Sequence, residues 1–342
     1  MWNFGNGGME KIVSSLINED SNDITSSLLI INKENDINSL KTIDKKNVSF
    51  VNRKKGSKNF FKFLILLTKI VNYKPDIIHI HYFDLIKILK PLQNIIKFKI
   101  ILTIHGMNDF DHKILDCDKV ITVSKNQYNF VKKKLKNKGL KTEKLKMIYN
   151  GIQIPKKINK RNIDLNNLNL VCLGRLNHNQ KRQDIILKYF SRLKEKYPNS
   201  NLSFYGSGDS LEYLKNIVKS LNISKNINFE GSVENNILLK ELTNYSVMIS
   251  ASKEETFGLN IIEALSIGLP ILAYPAKSIK EISNNNPIVF YFKDENSFIE
   301  VIEKEIKKIS IEDKKYSRTL IRESYNLNYM INQYFEIYNK LK

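Results

Sequence analysis

The sequence predicts an α/β protein made of two Rossmann-like domains that face each other across a cleft. At 342 residues, the chain is long for one compact core. Short β-branched runs alternate with longer helical patterns, and strands that are apolar throughout are typical of a parallel sheet covered on both faces. The alternation stops at a Pro-, Asn- and Lys-rich segment and then starts again, which predicts two sheets in succession.

That interruption sets the predicted boundaries. The first domain spans 1–155, with strands predicted in 26–32, 76–83, 99–106, 119–124 and 144–151. A linker is predicted over 156–167. The second domain spans 168–320, with strands predicted in 168–176, 201–209, 226–233, 246–252, 269–274 and 287–292. Residues 321–342 are expected to form a C-terminal helix that packs back towards the first domain.

The first domain begins with "MWNFGNGGMEKIVSSL", a glycine loop that enters a helix with almost no strand before it. Either "MWNF" is a stub of the first strand, or the true start lies upstream and the strand is truncated. Gly7 and Gly8 would let the backbone approach a phosphate or an acceptor closely, and a plain tight turn fits equally well. The full dinucleotide fingerprint fails because Glu10 stands at the position of its last glycine.

The formal net charge is +20, and residues 1–155 hold 27 Lys and Arg against 14 Asp and Glu. The cations are spread along the chain without a zinc-finger or RNA-binding signature, so solvated lysine faces are expected and a nucleic-acid partner is not. Cys117 and Cys172 lack metal-ligand spacing, which favours core packing in a reduced cytosol. The longest apolar run, 63–71, contains Lys69 and is too short to span a bilayer, so a cytoplasmic protein is expected.

Several motifs of the second domain follow predicted strands, where ligands of such sheets bind. Arg175 ends one strand and Lys181 follows six residues later, and two cations at a strand end suit a diphosphate. Gly206, in "YGSGD", allows either a nucleotide contact or an ordinary turn.

Two carboxylates, Glu255 and Glu263, flank the start of another predicted helix and span about 10 Å. That separation suits a nucleotide-diphosphate sugar, with the N–H groups of Phe257, Gly258 and Leu259 available to the phosphates between them. A solvated loop glutamate and a helix-face glutamate explain the spacing equally well.

Three histidines and an acidic pair complete the candidates. His105 ends an apolar strand and can reach the cleft, whereas His79 and His81 alternate with isoleucines and are interpreted as structural. Asp109 and Asp111 match a D-x-D metal site. They follow a first-domain strand, so solvent-facing loop acids are favoured and no metal site is predicted.

Taken in order, "GNGGMEKIV", "TIHG", "DKVITVS", "YNGIQI", "LGRL", "YGSGD" and "EETFGLNIIEALSIGLPILA" with its E-x7-E spacing resemble the retaining glycosyltransferases of family 4. The resemblance runs from about residue 5 to the C-terminus and implies the GT-B fold. It implies transfer with retained anomeric configuration and without an obligatory metal or cofactor. Gln153 replaces the acid that often follows "NG" in the family and receives no role.

The resemblance also implies roles for the candidates. Arg175 and Lys181 would bind the donor diphosphate, Glu263 the ribose and Glu255 the donor sugar. Phe257, Gly258 and Leu259 would offer backbone contacts. Gly7 and Gly8 would line the phosphate and acceptor side, and His105 would lie beside the donor sugar.

The resulting hypothesis is a hexosyltransferase that uses a UDP- or GDP-linked donor and a saccharide or lipid-linked acceptor to build surface polysaccharide or lipopolysaccharide. The alternatives are a nucleotide-sugar epimerase of the same fold and a basic nucleic-acid-binding protein. Arg53, Lys54, Lys55, Lys58 and Lys62 run into the apolar "FFKFLILLTKIV", which predicts peripheral docking on the anionic inner face of the membrane. A core-packing helix behind a basic loop is the competing interpretation.

Overall fold

The computed structural model describes residues 1–5, 7–19, 23–33, 35, 40–41, 43, 47–107, 111–156 and 158–342. The chain divides into two compact units. The first unit contains Met1–Gly151 together with Leu327–Lys342, and the second contains Ile152–Asn326.

The strands in chain order are β1 Leu28–Asn32, β2 Val48–Arg53, β3 Ile77–Ile80, β4 Lys99–Ile104, β5 Lys119–Thr122, β6 Leu145–Met147, β7 Asn169–Leu173, β8 Asn201–Tyr205, β9 Ile227–Gly231, β10 Val247–Ser250, β11 Ile271–Ala273 and β12 Val289–Tyr291. All of their pairings are parallel. Strand β2 is not among the strands predicted from the sequence, because its residues "VSFVNR" mix apolar and polar side chains.

The helices in chain order are α1 Gly8–Asn18, α2 Phe60–Tyr73, α3 Ile86–Gln93, α4 Lys125–Lys136, α5 His178–Lys181, α6 Gln183–Lys196, α7 Leu211–Ser220, α8 Asn235–Glu241, α9 Leu259–Ser266, α10 Lys277–Ile282, α11 Glu295–Lys304, α12 Ile311–Ser324 and α13 Leu327–Leu341. Side-chain caps fix several of their starts. Asn59 caps α2, Ser124 caps α4, and capping boxes begin α11 and α12. Within the described residues, no helix is long and apolar enough to span a bilayer.

The first unit contains two parallel sheets, a pair β1-β2 and a four-stranded sheet in the order β3-β4-β5-β6. The main-chain N–H groups of Ile31 and Asn32 donate to the carbonyl oxygens of Met1 and Trp2, over 2.9 and 2.8 Å. Residues 1 and 2 are therefore hydrogen-bonded beside β1.

The second unit has one six-stranded parallel sheet in the order β12-β11-β10-β7-β8-β9. The chain starts at β7, proceeds outwards to β9, and then crosses to β10 on the other side of β7. The boundary between β7 and β10 is therefore the topological switch point, and the carboxyl ends of the strands there are where open α/β sheets bind ligands.

The unit boundaries differ from the predicted domain boundaries at two places. The predicted linker, 156–167, belongs to the second unit, where Asn159 is buried and its side chain donates to the carbonyl oxygen of Tyr245 over 2.8 Å. The predicted C-terminal segment starts inside α12, which belongs to the second unit. Only α13 joins the first unit.

Candidate active site

A candidate active site lies at the switch point of the second unit. Helix α5 follows β7, and the loop that enters α9 follows β10. Because β7 and β10 are parallel neighbours, both segments leave the sheet at the same edge. The motifs that carry Lys181 and Glu255 therefore converge here, although 74 residues separate them in the sequence.

Lys181 and Glu255 form an ion pair. The Lys181 Nζ lies 2.5 Å from the Glu255 Oε2, and the two side chains are only 15% and 17% exposed. The carbonyl oxygen of Glu255 accepts a hydrogen bond from the hydroxyl of Ser278, after β11. The pair therefore fixes an ammonium group at the switch point, where an anionic ligand would compete with the carboxylate for it.

Arg175 follows β7 directly and its side chain is exposed. Its carbonyl oxygen accepts a hydrogen bond of 2.9 Å from the side-chain amide of Gln183, which is buried at the start of α6. Gln183 thus holds the backbone that carries the guanidinium. No sequence motif points to Gln183, because an amide that contacts a main-chain carbonyl leaves no motif.

Glycines after β7 and β8 let two loops pack backbone against backbone. A Cβ at Gly206 would lie 2.1 Å from the carbonyl oxygen of Gly174, and one at Gly208 would lie 2.3 Å from that of Leu176. Gly206 and Gly174 also have φ values of +138° and +131°, which L-residues rarely adopt. Gly206 thus supports the loop that carries Arg175.

Helix α9 begins after Gly258, which has a φ of +94°. The first N–H groups of a helix, here those of Leu259 and Asn260, have no partner within the helix and are available to an anion, whereas that of Ile261 already donates to the carbonyl oxygen of Gly258. Asn260 ties this turn to the neighbouring strand, because its side-chain amide donates to the carbonyl oxygen of Leu173 over 2.8 Å.

Two other predicted residues of this segment are buried. Phe257 is 3% exposed and packs against the ring of Tyr325, with 5.8 Å between the centroids. Glu263 lies inside α9 and is 4% exposed. Phe257 thus anchors the loop, and Glu263 is a buried carboxylate in the second turn of α9.

The glycine loop of the first unit encloses a carboxylate. Gly7 caps α1 and Gly8 is its first residue. The N–H of Gly5 donates to the Oε1 of Glu10 over 3.2 Å, and a Cβ at Gly7 would lie 2.7 Å from the Oε2. Gly7 therefore leaves room for the carboxylate of Glu10, a contact that no motif in the sequence predicts.

His105 belongs to a row of three histidines in the first unit, of which His81 is buried and His79 and His105 are half-buried. Its Nε2 lies 2.9 Å from the Nδ1 of His81, and the ring of His81 lies 4.4 Å from that of His79 between centroids. His79 contacts the hydroxyls of Tyr338 and Thr103 at 2.7 and 2.8 Å. These contacts tie α13 to β3 and β4.

Burial lowers the pKa of each histidine in this row, because the charged form loses its hydration. The pKa of His79 falls to about 3 and that of His105 to about 4. Burial, together with the neighbouring His79 and His105, keeps the pKa of His81 well below 6.5. All three rings are therefore neutral at pH 7. A neutral imidazole can donate or accept a hydrogen bond, so the His105 ring can bind a hydroxyl group without carrying a charge.

The predicted site residues thus fall in different units. Arg175, Lys181, Gly206 and the segment from Glu255 to Glu263 belong to the second unit, whereas Gly7, Gly8 and His105 belong to the first.

Of the D-x-D pair, Asp109 lies outside the described residues, and Asp111 caps a short 3₁₀ turn through the N–H of His112. Among the residues that the structure describes, no three His, Cys, Asp or Glu side chains are grouped to hold a metal ion.

Two family models match the chain in succession. The model described as glycosyl transferases group 1 matches residues 153–326, and the model described as glycosyltransferase family 4 matches residues 31–154. The first match covers the second unit almost completely and includes the switch-point site.

Relatives and solved structures agree with these matches. An uncharacterized glycosyltransferase of Haemophilus influenzae is 32% identical over 162 residues, which are 47% of this chain and 43% of that protein. Four curated relatives are matched over 28% to 64% of their own length, about half on average.

Two solved structures establish the fold. The lipopolysaccharide outer core galactosyltransferase WaaB in its apo form has a TM-score of 0.72 at 17% identity, with 99% of each chain covered. HepE from Anabaena in complex with UDP-glucose has a TM-score of 0.75 at 15% identity, also with 99% of each chain covered. The predicted GT-B fold is thereby confirmed.

Proposed function

Because the chain belongs to the group 1 glycosyl transferases, we propose that it is a retaining glycosyltransferase. It moves a hexose-type sugar from a UDP- or GDP-linked donor to a saccharide or lipid-linked saccharide acceptor. The reaction belongs to the synthesis of surface polysaccharide or lipopolysaccharide, in the cytoplasm at the inner face of the membrane. The names of WaaB and of the HepE complex with UDP-glucose support this choice of donor and product class.

One observation carries the proposal. A lysine from one predicted motif and a glutamate from another meet at 2.5 Å beside the switch point of the sheet. A cation there suits a diphosphate and a carboxylate suits sugar hydroxyls, so a nucleotide-diphosphate sugar offers a partner to each. Arg175 supplies a second cation after the same strand as Lys181.

In the proposed reaction, the bond between the anomeric carbon and the diphosphate oxygen breaks. Positive charge then develops on the sugar ring and negative charge on the leaving diphosphate. Lys181, Arg175 and the first-turn N–H groups of α9 stabilise the diphosphate, and Glu255 orients the sugar. The acceptor oxygen bonds to the anomeric carbon on the face that the diphosphate leaves, and its proton passes to the leaving phosphate. This route needs no protein nucleophile.

The remaining predicted residues have supporting roles in this proposal. Glu263 hydrogen-bonds the ribose, and the backbone of Phe257 and Gly258 contacts the sugar or phosphate. Gly206 shapes the nucleotide side. In the first unit, Gly7 and Gly8 line the acceptor and phosphate side, and the neutral ring of His105 contacts the donor sugar.

Calorimetry with UDP, GDP and ADP tests the proposal, followed by a panel of sugar nucleotides on the best binder. We expect one nucleoside diphosphate to bind and Lys181→Ala to weaken it by about 100-fold, as the loss of a charge partner should. Lys188→Ala, an exposed lysine of α6, is the matched control and should bind normally. Failure of all three nucleotides to bind would reject the proposed donor class, and an inverted product anomer would reject retention.

Metal independence has its own test. Turnover should survive EDTA, because Arg175, Lys181 and the helix N–H groups neutralise the phosphate charge in this proposal. Complete loss of turnover that Mn²⁺ or Mg²⁺ restores would instead favour a metal-dependent reaction and direct attention to Asp109 and Asp111.

A further inference from the structure

Helix α2 of the first unit is apolar on two opposite sides. Leu66 and Ile70 are buried and pack in the core of the unit. Phe61, Leu64 and Ile65 follow one another at helical spacing on the outward side and are all exposed. A surface helix normally turns polar residues to solvent, so this second apolar side requires an explanation.

The exposure is greatest at the start of the helix. Phe60 is 64% exposed and Phe61 is 74% exposed. Val71 extends the outward apolar side towards the other end of the helix. Contiguous apolar surface of this kind marks sites of protein or membrane interaction.

The charge around this surface has one sign. Residues 47–75 contain seven Lys or Arg and no Asp or Glu. Lys54, Lys55 and Lys58 are exposed in the loop directly before α2. Arg53 does not belong to this group, because its guanidinium lies over the ring of Trp2 and donates to Asn32.

We propose that the outward side of α2, with Lys54, Lys55 and Lys58, docks on a lipid bilayer that carries anionic headgroups. The helix has 14 residues, too few to span a bilayer but enough to lie in its interface. The phenylalanines enter the acyl boundary and the lysines bind headgroup phosphates. A second copy of the chain fits less well, because two such surfaces would bring like charges together.

Vesicle sedimentation with the full-length chain, without any donor, tests this proposal independently of the reaction. The vesicles are phosphatidylcholine alone, or phosphatidylcholine and phosphatidylglycerol in equal parts. We expect strong binding only to the anionic vesicles, weakened by salt. Changing Lys54, Lys55 and Lys58 to Ser should weaken binding on the order of 100-fold, from about 1 kcal/mol per cation.

Matched variants separate this surface from general effects of charge and apolarity. Changing the exposed Lys219, Lys225 and Lys240 of the second unit to Ser removes the same charge and should leave binding unchanged. The double change Phe60→Ser and Phe61→Ser should weaken binding about 100-fold or more, because burying each phenylalanine contributes about 1.5–3 kcal/mol. The control pair Ile311→Ser and Tyr316→Ser removes exposed apolar groups from α12 and should have no effect.

Three outcomes would overturn the proposal. The first is equal binding to neutral and anionic vesicles, and the second is an equal loss of binding in the test and control variants. The third is that the wild-type protein is a dimer, and that the double change Phe60→Ser and Phe61→Ser dissociates this dimer without reducing vesicle binding. The last outcome would assign the surface to a second copy. Thermal melting of each variant shows that it is folded.

Discussion

The two units position polar groups at the edge of a parallel sheet by different means. In the second unit the backbone sets the geometry, since Gly206 and Gly208 let adjacent loops touch, and Lys181 and Glu255 meet beyond them. In the first unit side chains set it. Glu10 lies against its own glycine loop, and three neutral histidines join β3, β4 and α13. The stability of the first unit should therefore be less sensitive to substitutions of its glycines, and more sensitive to pH, than that of the second unit.

The largest effect should come from Gly206→Ala. The added Cβ meets the carbonyl oxygen of Gly174 at 2.1 Å in a backbone conformation that alanine rarely adopts. We expect a loss of about 4 kcal/mol or more in the free energy of unfolding, measured by urea denaturation. Gly231→Ala also has a positive φ, +72°, but its Cβ would have no atom within 4 Å. It should cost only about 1 kcal/mol.

A glycine of the first unit, Gly5, should tolerate an added Cβ much better than Gly206. A Cβ at Gly5 would approach the Oε1 of Glu10 at 3.4 Å, an ordinary contact. Gly5→Ala should therefore change the free energy of unfolding by less than about 1 kcal/mol. Equal losses for Gly206→Ala and Gly5→Ala would show that backbone contact does not distinguish the two units.

A smaller effect, on turnover, should follow from removing the cations of the switch point. Arg175→Ala and Lys181→Ala should each lower kcat/KM by about 100-fold, equivalent to about 2.7 kcal/mol of transition-state stabilisation. Steady-state kinetics with the donor found by calorimetry measures this change. Near-normal kinetics in both folded variants would contradict the diphosphate role.

The smallest expected effect is the change in the free energy of unfolding per pH unit that the histidine row causes. The folded-state pKa values of His79 and His105, about 3 and about 4, lie below the unfolded value of 6.5. Between pH 6.5 and pH 4 the unfolded chain therefore binds more protons, and stability falls as the pH falls. Each histidine adds about 1.4 kcal/mol per pH unit to this slope.

Urea denaturation at pH 7.5, 6 and 5 measures that slope. Between pH 6 and pH 5, His79→Gln should make it shallower by about 1.2 kcal/mol per pH unit, because glutamine does not titrate. The same slope in wild type and His79→Gln would show that the row does not remain neutral in the folded protein.

Most strands of the second unit could be predicted because they are short apolar runs bounded by turn residues, and β9, "INFEG", is the mixed case among them. Strand β2 could not, since "VSFVNR" carries polar residues that pair only with β1. The burial of Asn159 likewise depends on contacts distant in sequence, which is why 156–167 was predicted to be a linker.

The candidate site shows the same limit. Arg175, Lys181 and Glu255 follow strands and could be identified from the residues. Gln183 and Asn260 could not, because each acts through a single hydrogen bond to a main-chain carbonyl. The pairing of His81 with His105 was within reach, since both follow the ends of neighbouring strands.

One measurement tests most directly whether Lys181 binds the donor or only holds the loop of Glu255. Wild type and Lys181→Ala are unfolded by urea with and without the preferred nucleoside diphosphate, at 100 times its Kd for wild type. Ligand binding should stabilise wild type by about 2.7 kcal/mol and a variant that binds 100-fold more weakly by about 0.4 kcal/mol. Equal stabilisation of both proteins, whatever their stability without nucleotide, would contradict the assignment of Lys181 to the donor diphosphate.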